Sequence, residues 1–258
     1  MYLIIISLLV WIFVFIIGAL MFPIAMIIWV ITFPFDKRLK LLHLFSSFWG
    51  SIYIWINPLW KTTFYGREKI NPETTYIMVC NHQSLLDILV LYGLFAHYKW
   101  VAKAELFNVP VLGWNMHLNR YIKVSRSKKR SHIYMMKKCE KTLENGSSIM
   151  IFPEGTRSID GAIQSFKDGA FKLAKLSKVD ILPIILNGTA NSLPKSGFIM
   201  KNSQNIRIQI LDPIPYSSFA ELNTKEVAEK VREYMVGHFE KLKTTHKFQA
   251  TNIGTYQK

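Results

Sequence analysis

Between Met1 and Phe35 the sequence holds no Asp, Glu, Lys or Arg. That stretch exceeds the roughly 20 apolar residues that cross a ~30 Å hydrocarbon core. No basic residue precedes it and it outruns a typical signal-peptide core, so a cleaved secretory signal fits poorly. Cysteine is nearly absent. Cys80 and Cys139 are too few for a disulfide scaffold or a Cys-based zinc site, and they fit a reducing compartment. Acidic residues are scarce as well, 17 Asp and Glu against 32 Lys and Arg, a formal charge of +15 on 258 residues. There is no G-x-S-x-G elbow, H-E-x-x-H helix, G-x-G-x-x-G turn or Walker loop. These absences argue against a serine-hydrolase nucleophile, a zincin, a dinucleotide fold and a P-loop NTPase.

What the chain does have is apolarity, in half of its residues. Apolar and strongly basic together exclude intrinsic disorder, which needs low hydrophobicity. They suit a chain that works at an anionic membrane or on anionic substrates. Pro23 interrupts the first apolar run and Pro34 ends it. The first charges come at once after it: Asp36, Lys37, Arg38 and Lys40. A second, less uniform apolar segment from Leu39 to Trp60 suits a helix that lies in the interface or returns into one leaflet. Trp11, Trp29, Trp49, Trp55 and Trp60 all fall before residue 61, and Trp favours the headgroup boundary. The basic cluster at 37–40 places the rest of the chain on the cytoplasmic side. The expected organisation is membrane-anchoring helices over 1–61, a catalytic domain over 62–243 and a polar tail over 244–258.

After Lys61 strands and helices alternate. Strands are expected at Thr74–Cys80, Tyr121–Val124, Ser147–Phe152, Val179–Leu186 and Asn205–Leu211. Helices are expected at Ser84–Ala96, Ser131–Asn145, Phe166–Leu176 and Thr224–Leu242. This alternation predicts an α/β fold, a mostly parallel or mixed sheet flanked by helices, with the membrane-embedded helical segment ahead of it. Active-site groups in such sheets gather beyond the carboxyl ends of strands.

Three polar groups occur where strands stop: Asn81 to Asp87, Phe152 to Ser158, and Asn187-Gly188-Thr189. His82 and Asp87 would lie about 140° apart around a regular helix of 3.6 residues per turn. They can meet if His82 sits in the loop and Asp87 in the first helical turn. The carboxylate would then orient the imidazole as a general base. Ser84-x-x-Asp87 is also a capping box, which explains Asp87 without catalysis. In the second group Gly155 permits a close backbone turn, Thr156 donates a hydrogen bond and Arg157 offers a planar fork suited to phosphate. From Arg120 to Lys141 nine Lys or Arg stand against Glu140 alone. Such a run is commonly a solvated face. Arg126, which closes a short apolar strand, has a better claim to a pocket. Cys80 reads as core.

Together these residues resemble the 1-acylglycerol-3-phosphate acyltransferase family. Asn81-His82-Gln83-Ser84-Leu85-Leu86-Asp87 matches its first block, and Phe152-Pro153-Glu154-Gly155-Thr156-Arg157-Ser158 its third. Ile181 to Ile185 around Pro183 resembles the fourth, and Lys103 to Leu106 the lysine-bearing segment. The second block departs. Arg120 stands where the family has Gly, and Lys123 takes a usually apolar place, while Arg126 is kept. The resemblance implies that His82 is the base and Asp87 its partner. It also implies that Lys103, Arg126 and Arg157 bind the acceptor phosphate, with Gly155 and Thr156 shaping that site and Glu154 holding the glycerol or a cationic neighbour. The implied partners are a lysophospholipid acceptor, an acyl-CoA or acyl carrier protein donor and an anionic membrane surface, with no cofactor, no metal and no nucleic acid. An acyltransferase with another acceptor competes with this reading. So does a membrane-tethered basic binding protein.

Overall fold

A computed structural model of the chain describes residues 2–57, 60–125, 129–190 and 204–253. The elements run α1 (Tyr2–Thr32), α2 (Lys40–Trp55), β1 (Trp60–Tyr65), β2 (Tyr76–Cys80), α3 (Leu86–Tyr92), β3 (Tyr98–Lys103), α4 (Leu112–Leu118), β4 (Ile122–Val124), α5 (Lys129–Glu144), β5 (Ser148–Ile151), α6 (Gly169–Ser177), β6 (Asp180–Asn187), β7 (Gln204–Ile210) and α7 (Thr224–Ile253). The seven strands form one sheet in the order β1-β7-β6-β2-β5-β3-β4. Every neighbouring pair is parallel except β6 and β7.

β2 lies at the centre and all five of its residues are buried. Its side chains alternate between two cores, as strand geometry requires. Tyr76, Met78 and Cys80 face a core shared with Val90 and Leu91 of α3 and Trp100 of β3. Ile77 and Val79 face a core shared with Cys139 of α5, Phe171 of α6 and Val231 and Met235 of α7. Both faces of the sheet are therefore covered, which is why β2 and β6 read as unbroken apolar runs.

α1 is long and apolar enough, over Trp11–Thr32, to cross a membrane. It continues through Pro23, where the sequence suggests a break. Phe15, Leu20, Ile27, Val30 and Ile31 on it are exposed. α2 is two-sided. Leu42, His43, Ser46 and Trp49 are buried, while Leu41, Leu44, Phe48 and Trp55 are exposed. At Gly50 an added Cβ would lie 2.6 Å from the Tyr92 ring, so only glycine lets α2 approach α3 this closely. Ser46, Asn115 and Asn119 join α2 to α4 by hydrogen bonds.

Three elements are missing from the sequence-based scheme. β1 lies across the expected boundary at residue 61 and alternates between buried or half-buried and exposed positions. β3 is obscured by Lys99, which is buried within it and donates to the Asn119 carbonyl at 3.0 Å. α4 is a short helix rich in polar and aromatic residues. α6 begins at Gly169 rather than Phe166, because Lys167 N–H is drawn to the Pro153 carbonyl at 2.9 Å. α7 runs on to Ile253, well into the stretch read from sequence as a polar tail.

Candidate active site

The site assembles at the carboxyl ends of β2, β5 and β6. Asn81 ends β2, and its side chain bridges to β6. Its Nδ2 donates to the Leu186 carbonyl and its Oδ1 accepts from Leu186 N–H, both at 2.8 Å. His82 comes next, in the loop, and Asp87 is the second residue of α3. The two meet at 2.8 Å between Nδ1 and Oδ2. The same Oδ2 accepts the N–H groups of Gln83 at 2.6 Å and Ser84 at 2.9 Å. Back-bonding of a capping kind and contact with the histidine thus coexist in one carboxylate. Asp87 is fully buried, and its Oδ1 accepts the hydroxyl of Thr189, also fully buried.

With Nδ1 donating to a carboxylate, the unprotonated nitrogen of neutral His82 is Nε2. The imidazole stacks on Phe152 with ring centroids 4.0 Å apart and planes 11° from parallel. Phe152 in turn stacks on Trp100. These rings restrain the imidazole in a single plane.

The Phe152–Ser158 loop is tied to the backbone of the histidine. Ser158 N–H donates to the His82 carbonyl at 2.8 Å. His82 N–H donates to Glu154 Oε1 at 2.8 Å, and Gln164 N–H to Oε2 at 3.3 Å. The sequence places Glu154 among the substrate ligands. In the fold it is buried behind the loop, outside the cavity lining, with both oxygens on backbone donors. Burial pushes its carboxyl up to about 7 against the two hydrogen bonds, which pull the other way. Gly155 holds φ at +69° and carries the turn between Glu154 and Thr156.

His82 opens onto a cavity of about 1810 Å³. Its lining includes the apolar Leu85, Ile88, Leu89, Trp100 and Met116, and also Lys103, Gly155, Thr156, Arg157 and Lys167, with the carboxylates of Glu140, Asp168 and Glu229. Lys103 is also paired with Glu105 at 3.3 Å. Of the residues read as phosphate ligands, Lys103 and Arg157 therefore share a cavity with His82. Arg126 lies outside the described residues. Cys80 is fully buried, and its thiol is pushed well up by burial and then by the charges of Asp87 and Glu154. Thr189 and Phe152 belong to the polar groups at the strand ends, but the sequence alone assigns neither a role. A polar residue two positions past a buried strand, after Gly188, is the available signal for Thr189.

The acyltransferase family model matches residues 61–187. The chain is 37% identical over 203 residues to a chloroplastic 1-acyl-sn-glycerol-3-phosphate acyltransferase of Brassica napus, covering 78% of this chain and 58% of that protein. It is 38% identical over 176 residues to the 1-acyl-sn-glycerol-3-phosphate acyltransferase of Saccharomyces cerevisiae, covering 66% and 57%. The chain thus spans a little over half the length of these curated relatives. Its fold is that of the crystal structure of the 1-acyl-sn-glycerophosphate acyltransferase PlsC of Thermotoga maritima. The TM-score is 0.77 at 24% identity, with 93% of this chain and 98% of that one covered.

Proposed function

We propose that the chain, which matches the acyltransferase family model over residues 61–187, transfers a fatty acyl group from an acyl thioester to the free hydroxyl of 1-acyl-glycerol-3-phosphate, giving phosphatidic acid. The observation that carries this reading is the His82–Asp87 pair at 2.8 Å, facing a cavity whose lining holds both apolar side chains and the cations Lys103 and Arg157.

The free hydroxyl of the acceptor gives its proton to His82 Nε2 as its oxygen attacks the thioester carbonyl. The tetrahedral adduct collapses with loss of the thiolate, which takes the proton back from the imidazolium. The products are an ester and a free thiol. Asp87 holds the tautomer and stabilises the imidazolium. No activated nucleophile is needed, because the two substrates meet directly in one cavity. The N–H groups of Gln83 and Ser84 are engaged by Asp87, so they hold the base rather than the oxyanion.

Arg157 and Lys103 bind the acceptor phosphate in this scheme, Arg126 is kept as a third ligand on the family resemblance alone, and Gly155 and Thr156 give the loop its shape. Glu154 acts through the His82 backbone. The acyl chain packs against the apolar lining residues in this scheme. Each CH₂ drawn into water would cost about 0.8 kcal/mol. An enzyme held at the membrane by α1 and by the exposed face of α2 leaves both tails in lipid, with the catalytic domain on the cytoplasmic side.

The test is purified protein with lysophosphatidate and, separately, an acyl-CoA and an acyl carrier protein thioester, the product identified by mass. Phosphatidic acid from either donor supports the proposal and assigns the donor. Product only with another lysolipid acceptor reassigns the substrate. No acyl transfer with any acceptor rejects the activity.

A further inference from the structure

Arg120 and Lys123, the two residues at which the second sequence block departs from the family pattern, line one small pocket outside the catalytic cavity. Its volume is about 280 Å³, and His117, Arg120, Tyr121, Lys123, Tyr134 and Lys138 line it. They come from the end of α4, the turn after it, β4 and α5. Every titratable side chain in the lining is a base or a tyrosine, and no carboxylate is among them.

Such a cluster is electrostatically costly when empty. Lys138 is held below the ordinary lysine range by burial and by the charges of Lys123 and Arg120. His117 is lowered by burial and then by Lys123 and Lys138. The negative end of α4 offers favourable contact to His117 and Arg120. It gives no account of Lys123 and Lys138, which come from other elements. Arg120 carries a further cost. It sits at φ +55°, a left-handed conformation that costs a residue with a Cβ roughly 1–2 kcal/mol. A glycine would sit there without strain. The chain keeps a guanidinium instead.

The pocket also has a defined level along the membrane helix. Leu118 of α4 packs with Ala25, Ile28 and Trp29 of α1, and the Arg120 guanidinium lies 5.9 Å from the Phe33 ring. Phe33 directly succeeds the apolar helix, and Asp36, Lys37 and Arg38 come soon after. That is the depth at which lipid phosphates lie if α1 is inserted.

We propose that this pocket binds a phosphate group, supplied by the headgroup of an anionic phospholipid at the membrane surface, in addition to the acceptor phosphate held in the catalytic cavity. The placement rests on the membrane reading of α1; the binding itself requires no acyl transfer. Tyr121 lines both cavities, so the two sites share a wall. A soluble phosphate would satisfy the same chemistry, and the test separates the two sources.

Full-length protein is held in neutral-detergent micelles, and its melting temperature is tracked as phosphatidylglycerol or, separately, inorganic phosphate is added. A ligand bound only by the folded state raises that temperature. The wild type and the pair Lys61→Gln/Lys230→Gln are expected to share the full shift. Lys61 lies on β1 at the opposite edge of the sheet, and Lys230 lies on α7. Arg120→Gln/Lys123→Gln is expected to lose most of it, weakening apparent affinity about thirtyfold at ~1 kcal/mol per basic residue. Arg120→Gly removes the cation while relieving the backbone, so it reports even if the double variant folds poorly. A shift with the lipid assigns the headgroup, and a shift with inorganic phosphate alone assigns a soluble source. Equal shifts in Arg120→Gly and wild type overturn the proposal. Acyl transfer in neutral micelles is measured alongside. Its absence in the wild type rejects the proposed activity and leaves the binding result standing.

Discussion

Thr189 donates its hydroxyl to Oδ1 of Asp87, and Oδ2 of the same carboxylate receives His82 Nδ1 at 2.8 Å. Thr189 thus fixes the rotation of the carboxylate that orients His82, the proposed base. Thr189→Val removes that donor and leaves a buried carboxylate oxygen short of a partner, at about 1–3 kcal/mol. The expected outcome is a fall in kcat with the KM for the phosphorylated acceptor unchanged. Thr189→Ser is expected to restore much of the rate. A KM change without a kcat change would place Thr189 at the substrate instead.

His82→Ala removes the proposed base. Loss of proton transfer alone is expected to lower the rate by roughly 10²–10⁴. The melting temperature should move little, since the His82 backbone keeps its bonds to Glu154 and Ser158. Turnover close to wild type would end the general-base role.

Arg157→Ala and Lys103→Ala should each raise the acceptor KM, with little effect on the donor KM. A charge-assisted contact to phosphate is worth about 1.5–3 kcal/mol, so the rise is on the order of tenfold to a hundredfold. If the thioester KM rises instead, these cations serve the donor.

Stability against pH has two limbs with opposite signs. Glu154 is raised from the ordinary 4.5 to about 7, so between those values the folded state holds more protons than the unfolded chain. The stability it contributes is full below its ordinary range and is lost as pH rises through about 7. Lys99 is lowered from 10.5 to about 7 by burial, so the unfolded chain holds more protons over that window. Its contribution is present above the ordinary lysine range and is lost as pH falls toward 7. Together they predict a shallow stability minimum near neutrality. In thermal melts across pH, Glu154→Gln should flatten the acid limb and Lys99→Met the alkaline one. An unchanged profile in both variants would reject the assignment.

Much of the frame was legible in the sequence because β2, β5 and β6 are apolar runs closed by Gly, Pro or Asn. The His82–Asp87 contact was also derivable, since a loop histidine and a first-turn aspartate can meet where two mid-helix residues cannot. Lys99 hid β3, because a buried lysine breaks the pattern that marks a strand. The inward turn of Glu154 was equally hidden. Its spacing says that a carboxylate lies in the loop, and only the fold shows that His82 N–H and Gln164 N–H claim it. The two faces of α2 could not be separated either, since Ser46 and Ser51 are buried while Leu44 and Phe48 are exposed.

The Asn81 bridge to Leu186 bears on where the molecule is free to move. It fastens the histidine loop to the middle of the sheet, between the two strands with the most complete burial. If the proposed reaction is right, adjustment that releases a two-tailed product is expected at the periphery, where α4 and the sheet-edge strand β4 lie. The His82–Asp87 pair is thus anchored to the buried centre of the sheet rather than to its edge.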